Sequence, residues 1–152
     1  MEGEVYVAVV GPAEATADVE AQAEAVGAGL ADAGAVLVCG GLGGAMAAAC
    51  RGSKARGGRT VGILPGGDRG AANQWVDVAV ATGLGEARNA LVVRAADAVV
   101  ALGGGYGTLS EIALALKLGR PVVGVGTWPI PGVEDAQSPD AAARRAVAAA
   151  QE

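Results

Sequence analysis

Residues 98–123 read AVVALGGGYGTLSEIALALKLGRPVV, and this segment passes through strand, glycine loop, helix and strand in turn. Ala98–Leu102 is a short Val-rich run of the length of a buried strand. Gly103, Gly104, Gly105 and Gly107 follow, giving a backbone free to take positive φ and to let a ligand come close. Thr108 is then predicted to open a helix with Leu109, Ile112, Ala113 and Leu116 on its apolar face. Gly119 and Pro121 stop that helix, and Val122–Val125 is the next strand. A glycine loop at the mouth of a helix presents unpaired N–H groups and the positive end of the helix dipole. That is a setting for a phosphate or another anion.

The same alternation extends through the chain. Val5–Val10 is a first strand ended by Gly11-Pro12, and a helix is expected from about Thr16 to Ala33. Val36–Cys39 runs into Gly40-Gly41-Leu42-Gly43-Gly44 and an Ala-rich helix to about Gly57. Thr60–Leu64 and Asp77–Ala81 read as strands separated by a polar loop over residues 65–75. A helix is predicted from about Glu86 to Ala96, and a last one over Asp140–Gln151, after a stretch broken by Pro129, Pro131 and Pro139. Val-rich strands alternating with helices imply a parallel sheet covered on both faces, with every glycine loop at one sheet edge. The expected fold class is α/β, a Rossmann-like three-layer sandwich with a mostly parallel sheet, in one domain over residues 1–152.

Composition narrows the chemistry. Hydrophobic residues make up 52%, but Ala and 26 Gly inflate that figure, and no unbroken run of about 18 apolar residues exists to span a membrane. The opening Met-Glu-Gly-Glu lacks the basic region of a signal peptide, which points to a cytoplasmic protein. Cys39 and Cys50 lack metal-like spacing and read as buried thiols of a reducing compartment; no metal site is expected. The chain has no histidine, which removes Ser-His-Asp triads and imidazole shuttles. A net charge of −5 argues against wide nucleic-acid binding.

Two glycine loops on one edge, Gly40–Gly44 and Gly103–Gly107, raise the expectation of an anion site above what either gives alone. Neither is a P-loop, and no dinucleotide fingerprint with its downstream acidic residue is present. Thr108-Leu-Ser-Glu111 has the form of a capping box, so Glu111 can be read as a helix cap or as a working carboxylate. Arg88 is placed in the first turn of its helix, where a cation opposes the dipole by about 0.3–1 kcal/mol. It is either solvated or ion-paired there, or it meets an anionic ligand.

GGGYGTLSE resembles the PGGxGTxxE signature of the LOG family, the lysine decarboxylase-like proteins that include cytokinin riboside monophosphate phosphoribohydrolases. With GGLGGAM, ILPGGDR and TGLGEARN in the same order, the chain is more similar still to a bacterial Rossmann family related to molybdenum cofactor carrier proteins. A more distant relation is the DNA-processing Smf group. The resemblance implies a phosphorylated, nucleotide-like ligand held by Gly40, Gly41, Gly43, Gly44, Gly104, Gly105, Gly107, Thr108 and Asn89. It implies Arg88 and Glu111 as the catalytic pair if the chain is an enzyme. Arg88-Asn89, where LOG enzymes have Arg-Lys, is similar to the carrier branch.

Three readings follow. The first is a binding or carrier protein for such a ligand, with a bound nucleotide or molybdenum cofactor as cargo and no cofactor required of its own. The second is a LOG-like phosphoribohydrolase freeing base and ribose 5-phosphate from a nucleoside 5′-monophosphate. The third, a DNA-processing accessory, is disfavoured by the acidic charge and the scarcity of aromatic residues. Leu114, Ala115 and Leu118 make the helix after the glycine loop apolar nearly all round, which predicts a homodimer or homotetramer through it unless the last helix folds back over it.

Overall fold

The computed structural model describes residues 3–152; the Met1-Glu2 part of the amino-terminal segment lies outside the described residues. Seven strands form one sheet: β1 Tyr6–Val10, β2 Val36–Cys39, β3 Arg59–Leu64, β4 Val78–Ala81, β5 Ala98–Leu102, β6 Val122–Val125 and β7 Val133–Asp135. Their order is β4-β3-β2-β1-β5-β6-β7, and every pairing is parallel. The Rossmann-like α/β sandwich expected from the alternation is what forms.

The strands alternate their side chains between two cores, as the pleat requires. Val7, Val9, Leu37, Val100 and Leu102 face one layer, built from α1 Ala17–Asp32, α2 Ala45–Ala55 and α5 Pro139–Ala150. Ala8, Val10, Val38, Val99 and Ala101 face the other, built from α3 Asn89–Arg94 and α4 Tyr106–Lys117. Burial on both sides explains why these strands read as continuous apolar runs rather than as alternating ones. Thr16 caps α1, its hydroxyl accepting from the Val19 amide at 3.2 Å, and Ser138 caps α5 in the same way toward Ala141 at 3.1 Å.

Four local expectations are corrected. The predicted helix Glu86–Ala96 is a 3₁₀ turn, Gly85–Arg88, followed by the short α3, so Arg88 precedes the α-helix instead of lying in its first turn. Helix α4 begins at Tyr106, not Thr108, with Gly105 as its N-cap and no side-chain cap. Its buried face is therefore Thr108, Glu111, Ile112 and Ala115, while Ala113 is exposed and Leu109 and Leu116 are half-buried. Strand β7 was not anticipated, because three residues with two carboxylates behind Pro131-Gly132 carry no strand pattern. Finally, α5 packs on α1 and on β5 and β6, on the face opposite α4.

Helices α1 and α2 meet backbone to backbone through a reciprocal pair of glycines. A methyl built on Gly27 would penetrate the Ala49 carbonyl oxygen, and one built on Gly52 would penetrate that of Glu24. Alanine is the better helix former by about 1 kcal/mol, yet here it must push two helices apart. We expect Gly27→Ala and Gly52→Ala each to lower the unfolding free energy by about 1–3 kcal/mol. The control Gly67→Ala, at a position with open space around it, should stay within about 0.5 kcal/mol. Urea denaturation measures all three.

Candidate functional site

Strand β1 lies between β2 and β5, and here the chain reverses: β1 to β4 build outward one way and β5 to β7 the other. Such a switch point leaves a crevice at the carboxyl ends of the strands, because the adjoining loops turn to opposite faces. A cavity of about 650 Å³ opens at this place. Its wall takes Gly11–Ala13 after β1, Gly40 and Leu42 after β2, Pro65 after β3, Arg88 and Asn89 after β4, and Gly105–Thr108 and Glu111 after β5.

Arg88 crosses the floor of this crevice. Its Nε donates to the Ile63 carbonyl at 3.0 Å and its Nη1 donates to the Asn89 side-chain oxygen. Those two acceptors offset the awkward placement of a cation near a helix start. Nη2 has no protein acceptor among the described residues. The guanidinium fits only because residue 40 has no side chain; a Cβ there would lie 2.8 Å from Nη2 and 2.8 Å from the Met46 sulfur.

The second glycine loop is braced from the far side. Thr127 donates to the Gly103 carbonyl at 2.6 Å, and the Trp128 indole N–H donates to the Gly105 carbonyl at 3.1 Å. Gly103 takes φ +67° against the Pro12 ring, a conformation that favours glycine. The first α4 amide bonded within the helix is that of Leu109, to the Gly105 carbonyl at 3.0 Å. The amides of Tyr106, Gly107 and Thr108 thus have no protein acceptor among the described residues, and all three residues line the cavity.

The first glycine loop is tied down by other bonds. The Ala45 amide at the start of α2 is taken by the Pro12 carbonyl at 3.0 Å. The Gly41 carbonyl accepts from the Asn73 amide at 2.9 Å, and the Asn73 side chain donates to the Leu42 carbonyl at 2.9 Å. Gly41, Gly43 and Gly44 do not reach the cavity wall, and Gly104 in the second loop is also outside it. Of the predicted set, the cavity gathers Arg88, Asn89, Gly40, Gly105, Gly107, Thr108 and Glu111. The β1 loop and Tyr106 escaped sequence reading; Gly11-Pro12 had been legible only as a strand stop.

Glu111 is buried on the inward face of α4, and no side chain caps the start of that helix. The capping-box reading is overturned because the helix starts two residues before Thr108. Burial pushes its carboxyl up to about 7, with the Arg88 charge opposing that shift. No ion pair joins the two among the described residues. Cys39 and Cys50 lie beneath the first loop as buried free thiols with their sulfurs 3.5 Å apart.

A model of the SLOG cluster4 family matches residues 4–151. The chain belongs to the SLOG cluster4 family. This SLOG protein is 43% identical over 118 residues to an uncharacterised protein of Archaeoglobus fulgidus, covering 78% of each chain. The structure of the molybdenum cofactor binding protein from the phototrophic bacterium Rippkaea orientalis is similar at TM-score 0.90 and 35% identity, over 95% of this chain and 96% of that one. The molybdenum cofactor carrier protein of Chlamydomonas reinhardtii is similar at TM-score 0.91 and 31% identity, over 99% of this chain and 100% of that one. The likeness read from the glycine motifs to LOG-like proteins and the carrier branch is thereby shown.

A carboxyl with a folded pKa of about 7, above its ordinary value of 4.5, gives the fold stability that is complete below about pH 4.5 and lost as pH rises through 7. Glu111→Gln cannot ionise. We expect it to be more stable than the parent chain at pH 8, by on the order of 2–3 kcal/mol, with the difference gone by about pH 4.5. Denaturant unfolding across that range checks the sign.

Proposed function

We propose that this SLOG protein is a binding and carrier protein for the molybdenum cofactor, or a closely related phosphorylated molecule, held by its phosphate in the switch-point cavity. The observation that carries the reading is the three-amide cradle of Tyr106, Gly107 and Thr108, which shares one cavity with the unpaired Nη2 of Arg88. Full-length likeness to a cofactor binding protein and a cofactor carrier supports the cargo. Gly40, Asn89, Gly105 and Gly107 complete the wall around the anion. The buried, mostly protonated Glu111 limits repulsion of a dianion below neutral pH. No nucleic acid and no membrane partner enters this reading, and the free thiols suit a cytoplasmic carrier.

Arg88→Ala should weaken molybdenum cofactor binding by about ten- to a hundredfold, the loss of one charge-assisted contact. Calorimetric titration with cofactor released from a molybdoenzyme measures it. Equal affinity in the variant and the parent chain would overturn the placement of the phosphate.

A second reading, the LOG-like phosphoribohydrolase, is favoured by one observation: Glu111 lines the cavity and burial pushes its carboxyl up to about 7, as suits a general acid–base. Water would add to C1′ of a nucleoside monophosphate while the N-glycosidic bond breaks, the base leaving with a proton and ribose 5-phosphate remaining. If this holds, Glu111→Gln abolishes ribose 5-phosphate release from AMP at unchanged binding. Absence of release by the parent chain decides for the carrier.

The assembly proposed is a homodimer or homotetramer through α4. Its support is that α5 packs on the opposite face, leaving Ala113 exposed and Leu114, Leu116 and Leu118 only half-covered. Light scattering should give a mass at least twice the chain's 14.6 kDa.

A further inference from the structure

The cavity mouth carries a feature that phosphate binding does not use. Tyr106 is 84% exposed, far more than any other large apolar residue of the described chain, and it lines the cavity. A single exposed aromatic is ordinary on a protein surface. This one is held in place. One face of its ring is stacked on Trp128, with centroids 6.3 Å apart and planes inclined by 24°. Trp128 is itself fixed by its indole N–H bond to the Gly105 carbonyl and by packing against the α3/α4 core. The chain holds four aromatic residues, two Trp and two Tyr, and two of the four meet here.

We infer that Tyr106 is a specificity-determining residue, the platform on which the flat heterocyclic ring of the phosphorylated ligand stacks. The inference rests on the proposed phosphate site and deepens it. Tyr106 supplies one amide of the anion cradle and also the free ring face, so phosphate and heterocycle are read one residue's reach apart. That selects a compact ligand whose ring lies close to its phosphate, such as a phosphorylated pterin or a nucleoside monophosphate, over a bare phosphosugar. Gly105 and Gly107, on either side of Tyr106, add no side chains of their own beside its ring. Trp128 is a positioning residue in this scheme. It covers the ring's outer face and keeps the tyrosine from swinging away from the cavity.

The experiment compares the parent chain with Tyr106→Ala and Tyr106→Phe, titrated calorimetrically with molybdenum cofactor released from a molybdoenzyme, with AMP and with inorganic phosphate. Melting temperatures confirm that the variants fold. For whichever ring-bearing ligand binds, Tyr106→Ala should raise Kd about five- to fiftyfold, the range of aromatic stacking on a base. Tyr106→Phe keeps the ring and should stay within about twofold. Inorganic phosphate should bind all three equally. Unchanged affinity of Tyr106→Ala for the ring-bearing ligand overturns the stacking role alone. So does an equal loss for inorganic phosphate, which would mean that the loop itself had been disturbed. A parent chain that binds phosphate but neither ring-bearing ligand also overturns it. A parent chain that binds none of the three overturns the phosphate site and this inference together.

Discussion

The middle strands of the sheet are buried on both faces, and the rest of the molecule follows from that. A strand such as β5, with Ala98 to Leu102 wholly covered, needs helices above and below it. Parallel neighbours then require crossovers of one hand, which bring each strand-to-helix loop to the same edge. With β1 between β2 and β5, the loops part there and leave a crevice. The cavity is thus a by-product of covering apolar strands. What this sequence adds is its lining.

That lining shows how glycine and arginine depend on each other. Residue 40 must be glycine for the Arg88 guanidinium to lie across it, and the Ile63 carbonyl and Asn89 oxygen hold the guanidinium there. Neither residue explains itself alone. The two similar glycine runs are also held differently: one is tied to Pro12 and Asn73, the other is braced by Thr127 and Trp128 and brings three open amides to the cavity wall. A glycine-rich turn says that backbone comes close to something, and whether that is protein or ligand depends on neighbours far along the chain.

The strands and layers were legible because continuous Val runs and capped helices are local signals. Val36–Cys39 and Val122–Val125 were bounded as they form, and Thr16 marked the start of α1. The inward face of α4 was not legible. Leu109, Ala113 and Leu116 looked like the core stripe, but an entry at Tyr106 turns Thr108 and Glu111 inward instead. Hydrophobicity favours the leucine face. The loop braces at Thr127 and Trp128, more than twenty residues away, fix the other one. Arg88 and Glu111 were found as candidates from motif and position, and their shared cavity came only with the fold. Tyr106 gave no signal, since nothing in a sequence tells which face of a tyrosine is left bare.

The glycine crossing of α1 and α2 divides the molecule mechanically. On that side three helices cover the sheet, and two of them meet backbone to backbone at Gly27 and Gly52, with the Arg51–Glu24 ion pair joining them. On the other side two helices, one only six residues long, contribute Asn89, Tyr106, Gly107, Thr108 and Glu111 to the cavity wall, and α2 adds Met46. Any motion that parted α1 from α2 would have to separate backbones already in contact, so the two helices behave as one body.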